Sequence, residues 1–115
     1  MNDNLKFRSV FLFKDYFRKF YEKQQDKVKQ KILWTIRLVE YVDRVPVTYL
    51  KYIENTDGLF EMRIQVGTDI FRIFCFFDKE KLVVLTNGFQ KKTQKTPKKE
   101  IEKALKIKKE YESEK

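Results

Sequence analysis

The feature that most constrains this chain is a change of hydrophobic period at Pro46. Before it, Val28, Ile32, Ile36 and Val39 recur near every fourth position with Lys27, Lys29, Lys31 and Arg37 between them. That spacing predicts an amphipathic helix from Gln25 to Val42. After it, the period falls to two. Thr48 to Glu54, Leu59 to Val66, Asp69 to Phe77 and Lys81 to Phe89 read as strands. Proline closes the helical half because it lacks the backbone donor that a continuing helix needs.

The remaining segments fit around this switch. Phe7 to Phe13 alternates and reads as a first strand, and Phe17, Phe20 and Tyr21 mark a short helix after Lys14 and Asp15. Asn55 to Gly58, the pair Gly67 and Thr68, and Asp78 to Glu80 are turn signals, so the late strands are expected to form an antiparallel meander. Thr96 can cap and Pro97 can start a last helix with Ile101, Ala104, Leu105 and Tyr111 inward. The expected class is α+β: an N-terminal strand and two helices, a mostly antiparallel sheet and a C-terminal helix, with the helices on one face of the sheet.

A chain of 115 residues is expected to be one domain, residues 1–115. Hydrophobic residues make up 42% and aromatics 16%, enough apolar surface to offset the entropy of ordering. Lys91, Lys92, Lys95, Lys98 and Lys99 crowd the segment after the last strand, and the whole chain carries a net charge of +9. That excess draws polyanions, nucleic acid first, although a lysine-rich surface also serves solubility alone. The basic residues are spread along the chain and form no amphipathic anchor, so no membrane partner is expected. The lone Cys75 in IFCFF cannot form an internal disulfide, and the N-terminus MNDNLKFRSV lacks an apolar leader core. A cytoplasmic protein is expected.

Alternation in GLFEMRIQV puts Glu61, Arg63 and Gln65 on one side of a strand and Phe60, Met62, Ile64 and Val66 on the other. The polar row is either a solvated face or a site. In the next strand Arg72 stands among Ile70, Phe71, Ile73 and Phe74, and a guanidinium in such surroundings needs an anion or a carboxylate, with Glu61 within reach across the sheet. Phe89 and the lysines after it combine a stacking face with phosphate-binding charges, as single-stranded RNA binding requires; a solvated lysine loop is the other reading.

The chain has no histidine, which excludes RNA cleavage by an imidazole pair. Metal-free cleavage needs a base for the 2′-hydroxyl, a cation for the crowded phosphate and an acid for the leaving oxygen. Neighbouring arginines lower a lysine's pKa, so Lys91 or Lys92 beside Arg63 and Arg72 can act as base or acid, with Glu61 the competing base. No clustered His and Cys and no recognised carboxylate spacing argues for a metal, and only three glycines, none in phosphate-loop spacing, argue against a nucleotide fold. No cofactor is expected.

Three stretches carry a family resemblance: YLKYIENTDGLFEMRI, FRIFCFF and LVVLTNGFQKKTQKTPKKEIEKA, between Leu50 and Ala104. They resemble the phage-derived, HigB-like branch of the RelE/ParE toxin superfamily. Its marks are a Gly-Leu-aromatic-Glu-x-Arg strand, an aromatic-Arg-Ile strand and a Gly-Phe-x-Lys-Lys-Thr-x-Lys-Thr-Pro segment entering a helix. The C-terminal half matches in order; the first 45 residues match only in their strand-helix-helix sequence.

The resemblance implies a RelE-like, microbial-RNase-like fold and the toxin of a type II toxin–antitoxin pair. Such a toxin is an endoribonuclease that cuts mRNA in the 30S A site of the ribosome and is neutralised by a cognate helix-turn-helix antitoxin. By position, Arg63 and Arg72 match the family's motif arginines, Lys91 and Lys92 its basic cleavage residues, Phe89 its stacking aromatic and Lys51 a basic position before the Gly-Leu strand. Lys95 and Lys98 are expected to add RNA contacts. Tyr111, the last helix's aromatic, is assigned no role. Two other functions share the sequence features: a ParE-like gyrase poison on the same fold, against which the lysine segment argues, and an RNA-binding module without catalysis.

Overall fold

The computed structural model describes residues 6–115, so the first five residues of the stretch read above for a leader lie outside the described residues. In chain order the elements are β1 (Ser9–Leu12), α1 (Tyr16–Glu22), α2 (Asp26–Tyr41), β2 (Leu50–Tyr52), β3 (Leu59–Val66), β4 (Asp69–Asp78), β5 (Leu82–Lys91) and α3 (Lys98–Ser113). The sheet order is β1-β5-β4-β3-β2. β1 runs parallel to β5, and every other pair is antiparallel. This is the expected α+β order, with a meander from β2 to β5.

Local chemistry explains the joints. Val66 pairs with Asp69, leaving Gly67 and Thr68 as a two-residue hairpin loop. Gly67 takes φ +62 there, a conformation that costs glycine little. The chain after Pro46 turns before it extends: Tyr49 and Leu50 donate to the Pro46 carbonyl, which shortens β2 to three residues from the seven expected. β1 is likewise four residues long, because Phe7 and Arg8 donate to Glu40 O instead of joining the sheet. The Arg8 guanidinium donates to the carbonyls of Val39 (3.0 Å), Val42 (2.7 Å) and Asp43, satisfying groups that the end of α2 leaves open.

The helices do not share one face, and this corrects the sequence reading. Phe17 and Phe20 of α1 and Val28, Ile32 and Val39 of α2 pack on Met62, Ile64, Phe71, Ile73, Cys75, Val83 and Leu85. α3 covers the opposite face, where Ala104 meets Leu59 and Phe74, and Ile107 meets Phe76 and Val84. The physical reason lies in β4, which is buried without interruption from Phe71 to Phe76. A strand apolar on both faces needs a cover on both, and IFCFF carries that signal.

A second correction concerns the start of α3. Pro97 stands at the cap position and no described side chain caps the helix, so Thr96 does not play the part expected of it. The first turn is held from the sheet instead, where Asn87 Nδ2 donates to Glu100 O and Glu100 Oε1, each at 3.3 Å. Lys108, largely buried on α3, is neutralised by Asp57 (3.2 Å) and Glu112 (2.9 Å) above the Phe76 ring.

Between Ile73 and Cys75 the register of β4 with β5 shifts: Ile73 faces Gly88, whereas Cys75 faces Leu85. β5 therefore carries one extra residue around Thr86 and Asn87, a β-bulge. Thr86 Oγ1 donates to Phe74 O at 3.1 Å and ties the irregularity to β4. One inserted residue exchanges the two faces of everything beyond it. Gly88 consequently lies on the α1 side, and Phe89 and Lys91 lie on the α3 side with Arg72.

Candidate nucleic-acid interface

The site is built across four strands, β2 to β5, on the face that α3 partly covers. Lys51 stands opposite Glu61, Arg63 opposite Arg72, Arg72 opposite Phe89, and Ile70 opposite Lys91. Strand alternation aligns the first four of these on one face, and the bulge in β5 adds the others. Without the bulge, Phe89 and Lys91 would point under α1 and α2.

At its centre Glu61 Oε2 lies 3.3 Å from both Arg63 Nε and Arg72 Nε. Glu61 is 7% exposed and Arg72 5%, so two charges have left water together. The carboxylate neutralises without saturating, since neither buried Nε has an aligned hydrogen-bond partner among the described residues. Arg72 Nη1 donates backward to Phe71 O at 3.1 Å. Burial lowers the Arg72 pKa, Glu61 opposes that shift, and Arg63 adds to it. Lys91 is also lowered, first by burial, then by Arg72, with smaller contributions from Arg63 and Lys51 against the attraction of Glu61.

A cleft of about 420 Å³ opens over this cluster, lined by Lys51, Glu61, Arg63, Lys91 and Lys95, with Glu54 also in its wall. Positive charge exceeds negative there, with Lys51, Arg63, Lys91 and Lys95 against Glu54 and Glu61. The residues singled out from the sequence thus divide. Arg63, Arg72, Glu61, Lys91, Lys51 and Lys95 converge. Lys92 lines an adjoining cleft with Lys91, Thr68 and Asp69, away from Arg63. Lys98 opens α3 and does not line the Arg63 cleft. Phe89 sits in the arginine row, but its ring is 5.5 Å from Phe74 and packs on the Leu59 and Ala104 cluster. It belongs to the α3 core as much as to the site. Tyr111 lies at the other end of α3, where its hydroxyl donates to Asp78 at 2.6 Å and its ring meets Phe13 and Phe76.

A further group was not singled out from the sequence. Lys31, Thr48 and Tyr49, together with Gln65 from the polar row of β3, line a cleft of about 370 Å³ that also touches Arg63 and Arg72. The one sequence signal for it is Trp34, an aromatic placed off the inward Val28, Ile32 and Val39 stripe of α2.

Among the described residues no helix is long and apolar enough to cross a membrane. The sequence model of a family described as phage-derived protein Gp49-like matches residues 16–109. No curated protein matches the chain. Among solved structures, the free state of an arginine double mutant of the Escherichia coli toxin RelE superposes with a TM-score of 0.62 at 11% identity, covering 87% of this chain and 96% of that one. At that identity the likeness speaks for the fold.

Proposed function

The chain belongs to the phage-derived Gp49-like family, a RelE/HigB-like toxin family, and on that premise we propose that it is the toxin of a type II toxin–antitoxin pair, an endoribonuclease acting on mRNA at the ribosome. The observation that carries this reading is the meeting of Arg63 and Arg72 on Glu61 beside Lys91, inside an electropositive cleft. Two guanidiniums held in place before substrate arrives can receive the charge that builds on a phosphate under attack.

In the reaction the ribose 2′-oxygen attacks the adjacent phosphorus, the bond to the 5′-oxygen breaks, and a 2′,3′-cyclic phosphate and a 5′-hydroxyl result. The 2′-hydroxyl proton goes to a base and the leaving oxygen receives one from an acid. Arg63 and Arg72 bind the non-bridging oxygens. Lys91, whose ammonium form is disfavoured first by burial and then by Arg72, is the group placed to move a proton. Glu61 is engaged by both arginines and acts as a positioning residue. The partners are mRNA in the 30S A site and a cognate helix-turn-helix antitoxin that blocks the cleft; no cofactor takes part and the setting is the cytoplasm.

The test adds purified protein to translating ribosomes and maps new 5′ ends. Cleavage within A-site codons is expected from the wild type and not from folded Arg72→Ala. Intact RNA with the wild type would refute the reading, and DNA breaks in expressing cells whose mRNA stays whole would point to gyrase.

A further inference from the structure

We propose that the cleft between α2 and the free end of β3 is a nucleobase subsite, holding a nucleotide next to the phosphate bound by Arg63 and Arg72. This rests on the endoribonuclease reading and adds to it the path of the RNA strand and the residues that select its bases.

The geometry begins at the edge of the sheet. β2 pairs with β3 only from Phe60 to Met62, and the contact ends with Arg63 N donating to Tyr49 O at 2.9 Å. Beyond that point β3 has no neighbour on this side among the described strands, and Gln65 is exposed. The opening is the cleft of about 370 Å³ lined by Lys31, Thr48, Tyr49 and Gln65. Arg63 lines both this cleft and the one with Lys51 and Lys91. A strand laid across Arg63 with its phosphate therefore has room for a base on either side.

The lining suits an unpaired base. Tyr49 and Trp34 meet edge to face at 5.4 Å, and Trp34 is 46% exposed. Lys31 Nζ lies 4.1 Å from the Trp34 ring centre and 5.8 Å from that of Tyr49, so aromatic faces hold the cation at the mouth of the cleft. Gln65 adds a side-chain amide and Thr48 a hydroxyl for a base edge. Stacking surface, a cation and amide donors and acceptors are what single-stranded RNA is read by. The polar and cationic lining favours RNA over a protein partner, although Leu33 and Val47 are exposed nearby.

Trp34 is the sole tryptophan and supplies a native reporter. A short RNA with a 2′-deoxy substitution at the cut position should quench its emission, and Tyr49→Ala or Lys31→Ala should weaken that binding roughly tenfold. Tyr49→Phe, which keeps the ring, should restore it. On translating ribosomes the same two alanine variants should still cut, with a raised KM and an altered distribution of bases flanking the cut, whereas Arg72→Ala should not cut at all. If the wild type cuts and both alanine variants keep its KM and base distribution, the subsite is overturned while the nuclease reading stands. Should the wild type not cut, the nuclease reading falls, and the quenching alone decides the subsite: unchanged Trp34 emission overturns it. Lys31 is only partly buried on the surface of α2, so Lys31→Ala keeps the test valid if Tyr49→Ala unfolds. Quenching by a partner protein but not by the oligonucleotide would also overturn it.

Discussion

Gly88 and Phe20 pack so closely that a Cβ on Gly88 would stand 2.5 Å from Phe20 Cδ2, with two more ring atoms within 2.9 Å. This contact lies just past the bulge in β5 and seats α1 on the sheet. It also leaves Phe89 no place on the α1 face, so the arginine face receives it. Gly88→Ala is expected to destabilise the protein by about 1–3 kcal/mol, the usual range for overpacking a core. Urea denaturation measures it. Adding Phe20→Leu should recover part of the loss; a Gly88→Ala protein as stable as the wild type would show that the ring moves freely.

Glu61→Gln removes the carboxylate from two guanidiniums while keeping its volume. Arg72 is then a buried charge without a counter-ion, and breaking such a pair costs roughly 3 kcal/mol. Sulfate should restore more stability to Glu61→Gln than to the wild type, because an anion would take the carboxylate's place. Thermal denaturation with and without sulfate, at matched ionic strength, reads both effects. Equal gains in the two proteins would mean that no anion enters between the arginines.

The lowered Lys91 pKa makes a signed prediction about stability. The folded protein holds the Lys91 proton less well than the unfolded chain, whose lysine has the ordinary value of 10.5. Between the two values the unfolded chain binds more protons, so this group's contribution to stability rises with pH across that window. Below the window the penalty is fully present. Lys91→Met should therefore be more stable than the wild type at pH 7, by a margin that narrows as pH approaches 10.5. A margin that stays constant with pH would contradict the assignment.

The two adjacent lysines should separate in function. Lys91 shares a cleft with Arg63 and Glu61, whereas Lys92 faces the neighbouring one. Loss of a proton-moving group costs roughly a hundredfold or more in rate, so Lys91→Ala should abolish growth inhibition, as should Arg72→Ala. Lys92→Ala should lower RNA affinity by roughly threefold at most, through a diffuse phosphate contribution. Growth assays with RNA mapping test the set; equal effects of the two lysines would remove the distinction.

Sequence by itself determined the order of elements, because the period of apolar residues and the turn chemistry of Gly67 and Asn55 to Gly58 are local properties. It also placed Glu61, Arg63 and Arg72 as a group, since alternation within β3 and β4 needs no knowledge of the rest of the chain. Its three motif stretches carried the family. Only the tertiary structure decided which face Phe89 and Lys91 join, which side α3 covers, and that Tyr49 and Lys31 border the arginines. The physical reason is that side-chain direction in a strand has a period of two: one extra residue at Thr86 and Asn87 inverts every later side chain, and whether that residue is accommodated depends on pairing with β4 and on the grip of Asn87 on α3.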